Sequence, residues 1–298
     1  MRRRSALLTI IAAVMFCSVF VFDVQTADAA SGKSLYWLKV NRQANVVTAY
    51  KLENGKYVPY RAMVCSTGKA KSKTPHMTTS IKNRWRWGAL FHNVWGQYCV
   101  QFKGNYLFHS VYYTKKKKKN CLSVSEYNKL GTARSMGCVR LSTMDAKWIY
   151  ENCKNGTKVT VYSSKNPGPL GKPKALKASS RYRWDPTDPD KKNPDFRIKK
   201  PVITISASKQ DTVSYGAAYK LKAGVKAKNV NAYQDLTSKL QVYAVQKYDS
   251  SRQKYVKASF STESPGVYKV TYRVSDKYCG GASYKTFKVR VLEKEATE

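Results

Sequence analysis

Apolar and polar residues alternate in short stretches from position 34 to 163 and again from 201 to 293. Alternation with period two marks half-buried β-strands. In the first region residues 34–40 and 45–50 read as hairpin mates. An Asn54-Gly55 turn follows, and residues 60–65 form another strand. Residues 97–102 and 105–109 flank Lys103-Gly104, a further hairpin signal, and residues 157–162 close the region. The one good helical pattern runs from 142 to 152. Ser142 or Thr143 serves as N-cap, Asp145 lies in the first turn, Trp148, Ile149 and Cys153 share a face, and Gly156 is the stop. From 164 to 200 the alternation ceases. Prolines at 167, 169, 173, 186, 189 and 194 among many lysines predict an extended linker with little core of its own, from which Tyr182 and Trp184 could pack on a neighbour. Residues 202–205, 241–245, 266–274 and 284–291 then read as strands with no helix between them, which predicts a small β-sandwich at 201–293. The expected fold is therefore mostly β, in two domains, consistent with a chain of 298 residues.

Composition adds cores and a charge problem. Hydrophobic residues at 42% exclude wholesale disorder. Lys and Arg number 55 against 18 Asp and Glu, a net charge of +37. Such a surface seeks polyanions, either nucleic acid or the phosphate-rich and carboxylate-rich polymers of a bacterial wall. The first 30 residues choose between them. Arg2, Arg3 and Arg4, an apolar run from Ala6 to Phe22 and the small-x-small site Ala27-Asp28-Ala29 have the layout of a secretory signal peptide over residues 1–30. An uncleaved membrane anchor is the rival reading. Either way the expected location is the extracytoplasmic face or the cell wall, and nucleic acid is not an expected partner.

Removal of the signal would take Cys17 and leave six cysteines, which in a secreted chain suggests disulfides. A chain of this length does not need them, and no CxxC pair marks a metal site. The sharpest chemical feature is Ser135-Met136-Gly137-Cys138-Val139-Arg140-Leu141. Glycine permits a tight bend and a close approach of a substrate carbonyl. The N–H groups of Gly137 and Cys138 could face a developing oxyanion. Arg140, two residues on, would project to the side of Cys138 and favour a thiolate or clamp a carboxylate. A reactive thiol needs a base, and the chain has three histidines. His109 ends a predicted strand 29 residues before Cys138 and is the expected base. His92, among Trp85, Trp87 and Trp95, is a candidate cleft residue together with Trp95, whereas His76 lies in a polar loop. The bland alternative is a small buried cysteine and an ordinary strand-end histidine. The run of lysines at 115–119 reads as a solvated loop that could also track an anionic polymer.

These residues resemble a known family. Phe108-His109-Ser110, and the run from Leu130 through Gly131 and Ser135 to Gly137-Cys138-Val139-Arg140-Leu141, are similar to the signature of the YkuD-type L,D-transpeptidases, and Cys65 to Gly68 followed by Thr74-Pro75 is similar to that family's early strand and loop. The resemblance implies a β-sandwich catalytic domain with a short helix over residues 34–163. It implies Cys138 as thiol nucleophile, His109 as base oriented by the Ser110 carbonyl, an oxyanion site at Gly137 and Cys138, and Ser135 and Arg140 in support. Implied too are peptidoglycan stem peptides as substrates, cross-linked through a thioester, with no metal or organic cofactor, and inhibition by carbapenems. Departures are Met136 where the family usually has histidine, Thr74-Pro75-His76-Met77 where it often shows Thr-Pro-x-Gly, and a longer segment between His109 and Cys138. Residues 201–293 resemble bacterial Ig-like modules. An L,D-carboxypeptidase, which sends the thioester to water, and a non-catalytic wall-binding surface protein stay open as alternatives.

Overall fold

The computed structural model describes residues 33–296, so the signal peptide expected at 1–30 lies outside the described residues. The first region forms one nine-stranded sheet. Its strands are β1 (Tyr36–Asn41), β2 (Val46–Glu53), β3 (Lys56–Ser66), β4 (Met77–Ser80), β5 (Arg84–Leu90), β6 (Val94–Lys103), β7 (Tyr106–Ser110), β8 (Val139–Leu141) and β9 (Lys158–Tyr162), ordered β4-β9-β1-β2-β3-β8-β7-β6-β5. The Asn54-Gly55 turn joins β2 to β3, with both residues at positive φ as such a hairpin requires. Two pairings are parallel: β1 with β9, and β7 with β8. The second matters most, because it brings residues 108–110 beside 139–141.

Two helices accompany the sheet. α1 (Val124–Tyr127) is a single turn, and α2 (Thr143–Asn152) is the expected helix, capped by Ser142, whose side-chain oxygen accepts from the Asp145 N–H. α2 buries Met144, Ala146, Trp148 and Ile149 in a core shared with Leu38, Val40, Met63, Val100, Phe108 and Val139. Burying a Leu- or Phe-sized side chain is worth about 1.5–3 kcal/mol, so this core fixes β7 and β8 through Phe108 and Val139.

Residues 164–200 carry no helix or strand, as expected of a linker, but they are not loose. The Asp185 carboxylate accepts from the N–H of Thr143 at the start of α2 (2.7 Å), and Thr187 Oγ1 accepts from the N–H of Met144 (3.0 Å). Asp188 receives Gln97 Nε2 at 3.0 Å. A buried carboxylate, Asp185, and the Thr187 hydroxyl thus supply the acceptors that the helix N-terminus lacks.

The last region has a three-stranded and a five-stranded sheet. The first contains β10 (Val202–Ile205), β12 (Val225–Asn229) and β13 (Gln234–Asp235). The second is ordered β11 (Thr212–Val213), β17 (Ser283–Val291), β16 (Gly266–Val274), β14 (Gln241–Asp249) and β15 (Lys254–Lys257). Ile203, Val225 and Ala227 of the small sheet share a core with Tyr268, Val270, Tyr272 and Val289 of the large one. This region meets the first through a buried arginine. Arg61 on β3 donates to Asp145 on α2 (2.7 Å) and to Gln234 on β13 (3.1 Å), with its guanidinium over the Trp148 and Tyr278 rings.

All six cysteines among the described residues are free thiols. Among these residues no helix is long and apolar enough to cross a membrane, and no group of side chains is arranged to hold a metal ion.

Candidate active site

Directly paired residues on neighbouring strands point to the same face of a sheet. In the β7–β8 pair, Phe108 faces Val139 and His109 faces Arg140. Phe108 and Val139 go down into the core. Leu107, His109, Cys138 and Arg140 therefore share the other face, and all of them line a cleft of about 630 Å³. The β5–β6 hairpin forms the opposite wall with Trp85, Trp87, Phe91 and His92, while Tyr112 and Met136 complete the rim.

The bend before β8 is clamped from below. Gly137 has φ +117°, and a Cβ there would lie 2.7 Å from the Tyr106 ring, so only glycine fits. Ser135 is buried. Its hydroxyl accepts from the Gly137 N–H (3.0 Å) and donates to the Cys138 carbonyl (2.5 Å). Thr74 donates to the Gly137 carbonyl at 2.7 Å and accepts from the Gly68 N–H at 3.0 Å. Gly68 is forced by space, since a Cβ would sit 2.0 Å from the Ser72 carbonyl oxygen. The Gly137 N–H, expected to face an oxyanion, is thus engaged by Ser135, which leaves that of Cys138 as the candidate donor.

Cys138 is half-buried, whereas every other described cysteine is buried. Its S–H points at the Asn105 carbonyl, 3.4 Å away. His109 is buried, with Nδ1 2.6 Å from the Ser110 carbonyl. A carbonyl can only accept, so Nδ1 carries the proton, and in the neutral ring Nε2 keeps its lone pair. Burial, helped by the Arg140 charge and opposed by the Ser110 carbonyl, brings the His109 pKa down to about 4. Burial also pushes the Cys138 thiol up, against a backbone hydrogen bond from Leu107 and the Arg140 charge. The sequence suggested a thiolate ionised by imidazole. Burial instead favours a neutral thiol and a neutral imidazole, because desolvation disfavours both charges.

Arg140 does not reach freely into the cleft. It donates to Glu126 on α1 at 2.8 Å, and its guanidinium lies over the Tyr112 ring. Arg134 (3.0 Å) and Lys129 (3.3 Å) share the same carboxylate. Burial raises Glu126, but hydrogen bonds from Arg134 and Lys129 and the Arg140 charge outweigh it and hold its pKa below the usual value. Gly96 lies between Cys99 and the imidazole, since a Cβ there would meet both Cys99 Sγ and His109 Nδ1 at 3.1 Å. Burial pushes the Cys99 thiol up to about 12 and keeps it protonated.

The fold brings Cys138, Gly137, His109, Ser110, Ser135 and Arg140 together, and His92 lines the cleft. Trp95 is a correction. It is not among the cleft-lining residues, because it is bridged to Tyr113 with the Lys116 ammonium over its ring. The sequence reading named no role for Thr74, Glu126 or Tyr112. Ser123 to Glu126 has capping-box spacing, which could have flagged Glu126, yet its carboxylate turns to Arg140 instead.

A mostly β unit with a thiol and an imidazole facing one cleft is the class of protein into which the comparisons fit. Residues 35–161 match the YkuD family, the L,D-transpeptidase catalytic domain, and this supports such a domain in that part of the chain. Over 67 residues the chain is 48% identical to YciB of Bacillus subtilis (strain 168), a protein provisionally named an L,D-transpeptidase. The match spans 22% of this chain and 33% of YciB. Among solved structures, an L,D-transpeptidase from Mycobacterium smegmatis aligns with TM-score 0.36 and 18% identity over 44% of this chain and 59% of its own. One from Stackebrandtia nassauensis aligns with TM-score 0.34 and 21% identity over 46% and 59%. An L,D-transpeptidase solved in complex with imipenem gives TM-score 0.35 and 19% identity over 43% and 59%.

Proposed function

We propose that this chain is a cysteine L,D-transpeptidase that cross-links peptidoglycan stem peptides at the extracytoplasmic face. The observation that carries the reading is the parallel β7–β8 register, which puts Cys138 and His109 on one cleft face with Arg140. The family match over residues 35–161 supplies the substrate class, and the secretory layout of residues 1–30 supplies the location.

The steps follow from the neutral resting pair. As the Cys138 sulfur attacks the carbonyl that precedes the terminal D-alanine of a donor stem, its proton passes to His109 Nε2. The Ser110 carbonyl, holding Nδ1–H, stabilises the imidazolium that forms. The Cys138 N–H faces the oxyanion, and the clamped bend keeps it in place. Nε2–H then protonates the departing amine of D-alanine, leaving a thioester. The amine of a second stem attacks this thioester, gives its proton to Nε2 and takes the acyl group, and the sulfur recovers a proton. The apolar wall of Trp85, Trp87 and Phe91 limits water at the thioester. A water-resolved thioester would make the protein an L,D-carboxypeptidase. Residues 201–293 form the Ig-like arm in this reading.

Purified protein incubated with tetrapeptide stems separates the outcomes by mass spectrometry. Cross-linked dimers with release of D-alanine are expected. Tripeptides without dimers would replace the transferase with a carboxypeptidase, and unchanged stems would remove the enzymatic reading.

A further inference from the structure

Away from the cleft, one surface is unlike an ordinary solvated face. On the outward side of the five-stranded sheet, register places Lys257 opposite Gln246, Gln246 opposite Lys269, and Lys269 opposite Lys288. With strands ~4.8 Å apart, this row spans ~14 Å. Arg290 lies two residues further along β17, on the same face. Among the described residues none of these four cations is in an ion pair. The inward side of the same strands carries Tyr268, Val270, Tyr272 and Val289, so the row is fixed by the core beneath it. Soluble surfaces normally intersperse both signs. Like charges directly opposite on adjacent strands are destabilising, yet Lys269 and Lys288 are such a pair. Both ammonium groups lie over one ring, that of Tyr255, at 4.8 and 5.8 Å from its centre.

We infer that this face is a docking surface for a linear phosphodiester polymer without bases, of the polyol-phosphate type. A chain bearing one charge per repeat can lie across the face from Lys257 past the paired Lys269 and Lys288 to Arg290. Lysine suits the task as a point-charge partner for phosphate. Tyr255 is covered by the two ammonium groups, whereas Tyr243, Tyr248 and Tyr284 stay exposed on the same face, so compartment is what sets a polymer without bases apart from a nucleic-acid strand. The choice of a polymer outside the cell rests on the extracytoplasmic location proposed above. The surface would hold the enzyme against the wall while the cleft works on peptides.

The test uses the full chain and fluorescently labelled poly(glycerol phosphate), with an oligothymidylate of equal charge as the alternative ligand. The triple variant Lys257→Gln, Lys269→Gln, Lys288→Gln is compared with Lys115→Gln, Lys116→Gln, Lys118→Gln in the other lysine-rich surface. The sheet variant is expected to lose at least tenfold in affinity, and its log–log salt dependence to flatten by roughly 2, at ~0.7 per lost phosphate contact. The loop variant is expected to lose less than threefold. Equal losses from both variants, no loss from the sheet variant, or tighter binding of the oligothymidylate would each overturn the proposal. Lys288→Gln alone keeps the test open if the triple variant fails to fold. It should weaken polymer binding about threefold while raising the melting temperature, and a lowered melting temperature would contradict the account. Acylation of the sheet variant by imipenem should match wild type, and Cys138→Ala should bind polymer normally, so failure of the surface and failure of the enzymatic reading are told apart.

Discussion

The cleft of the first region and the outward sheet face of the last use charge in opposite ways. In the cleft, burial disfavours charge on His109 and Cys138, and the nearby guanidinium of Arg140 is tied to Glu126. On the sheet face, Lys257, Lys269 and Lys288 stay solvated without carboxylate partners. Bond-making needs groups that become charged only as the reaction proceeds, in a site where fixed dipoles meet that charge. Attraction to a polymer needs only permanent charge in water, and it is screened by salt. One chain with a net charge of +37 keeps the two apart by placing them on separate sheets.

The contrast breaks most sharply at His109. His109→Ala removes the proton acceptor and should slow acylation by ~10²–10⁴-fold, with polymer binding unchanged. An acylation rate within threefold of wild type would move the base elsewhere. Salt should sort the two surfaces in the opposite sense. Between 50 and 200 mM, polymer affinity should fall roughly twentyfold if about three phosphates are contacted, while imipenem acylation changes less than twofold. Parallel losses in both would mean that the cleft, too, works through exposed charge.

Smaller in effect, Glu126→Gln should loosen Arg140 and slow acylation several-fold. The freed guanidinium would also bear more strongly on its neighbours and shift the acid limb of the pH–rate profile. That limb is expected near pH 4 in the wild type, where His109 gains a proton and stops acting as a base. Above that limb the rate should stay level until the thiol itself ionises, at a midpoint above the ordinary value because burial opposes the thiolate. The same sign governs stability. An imidazole held neutral in the fold but free to ionise when unfolded costs stability as pH falls from about 6.5 to about 4. A profile centred on the ordinary histidine value would contradict the buried, neutral ring.

Much of this was legible in sequence because it is local. Alternation marked β1, β2, β3, β6, β7 and β9, Asn54-Gly55 marked a turn, and the Ser142 cap marked α2. The Gly137-Cys138 bend and His109 stood out by residue type and spacing. What escaped notice depends on partners distant in sequence or on unusual turns. β5 was not read because its hairpin turns on His92 and Asn93, non-glycine residues at positive φ. Thr74 acquires its role only when its hydroxyl meets the Gly137 carbonyl, 63 residues away. The proline-rich stretch looked like a linker because its structure rests on side-chain acceptors, Asp185 and Thr187, aimed at a helix start rather than on a ladder of its own. Desolvation is also invisible to motif reading, and it works against the thiolate that Arg140 beside Cys138 suggested.

The most direct measurement is intact-protein mass spectrometry after incubation with imipenem, comparing wild type with Cys138→Ala. The account predicts one covalent adduct per chain in the wild type, mapped to Cys138, and none in the variant, although the buried thiols of Cys65, Cys99 and Cys153 are present in both. An adduct that persists in Cys138→Ala, or no adduct in the folded wild type across pH 5 to 9, would contradict it.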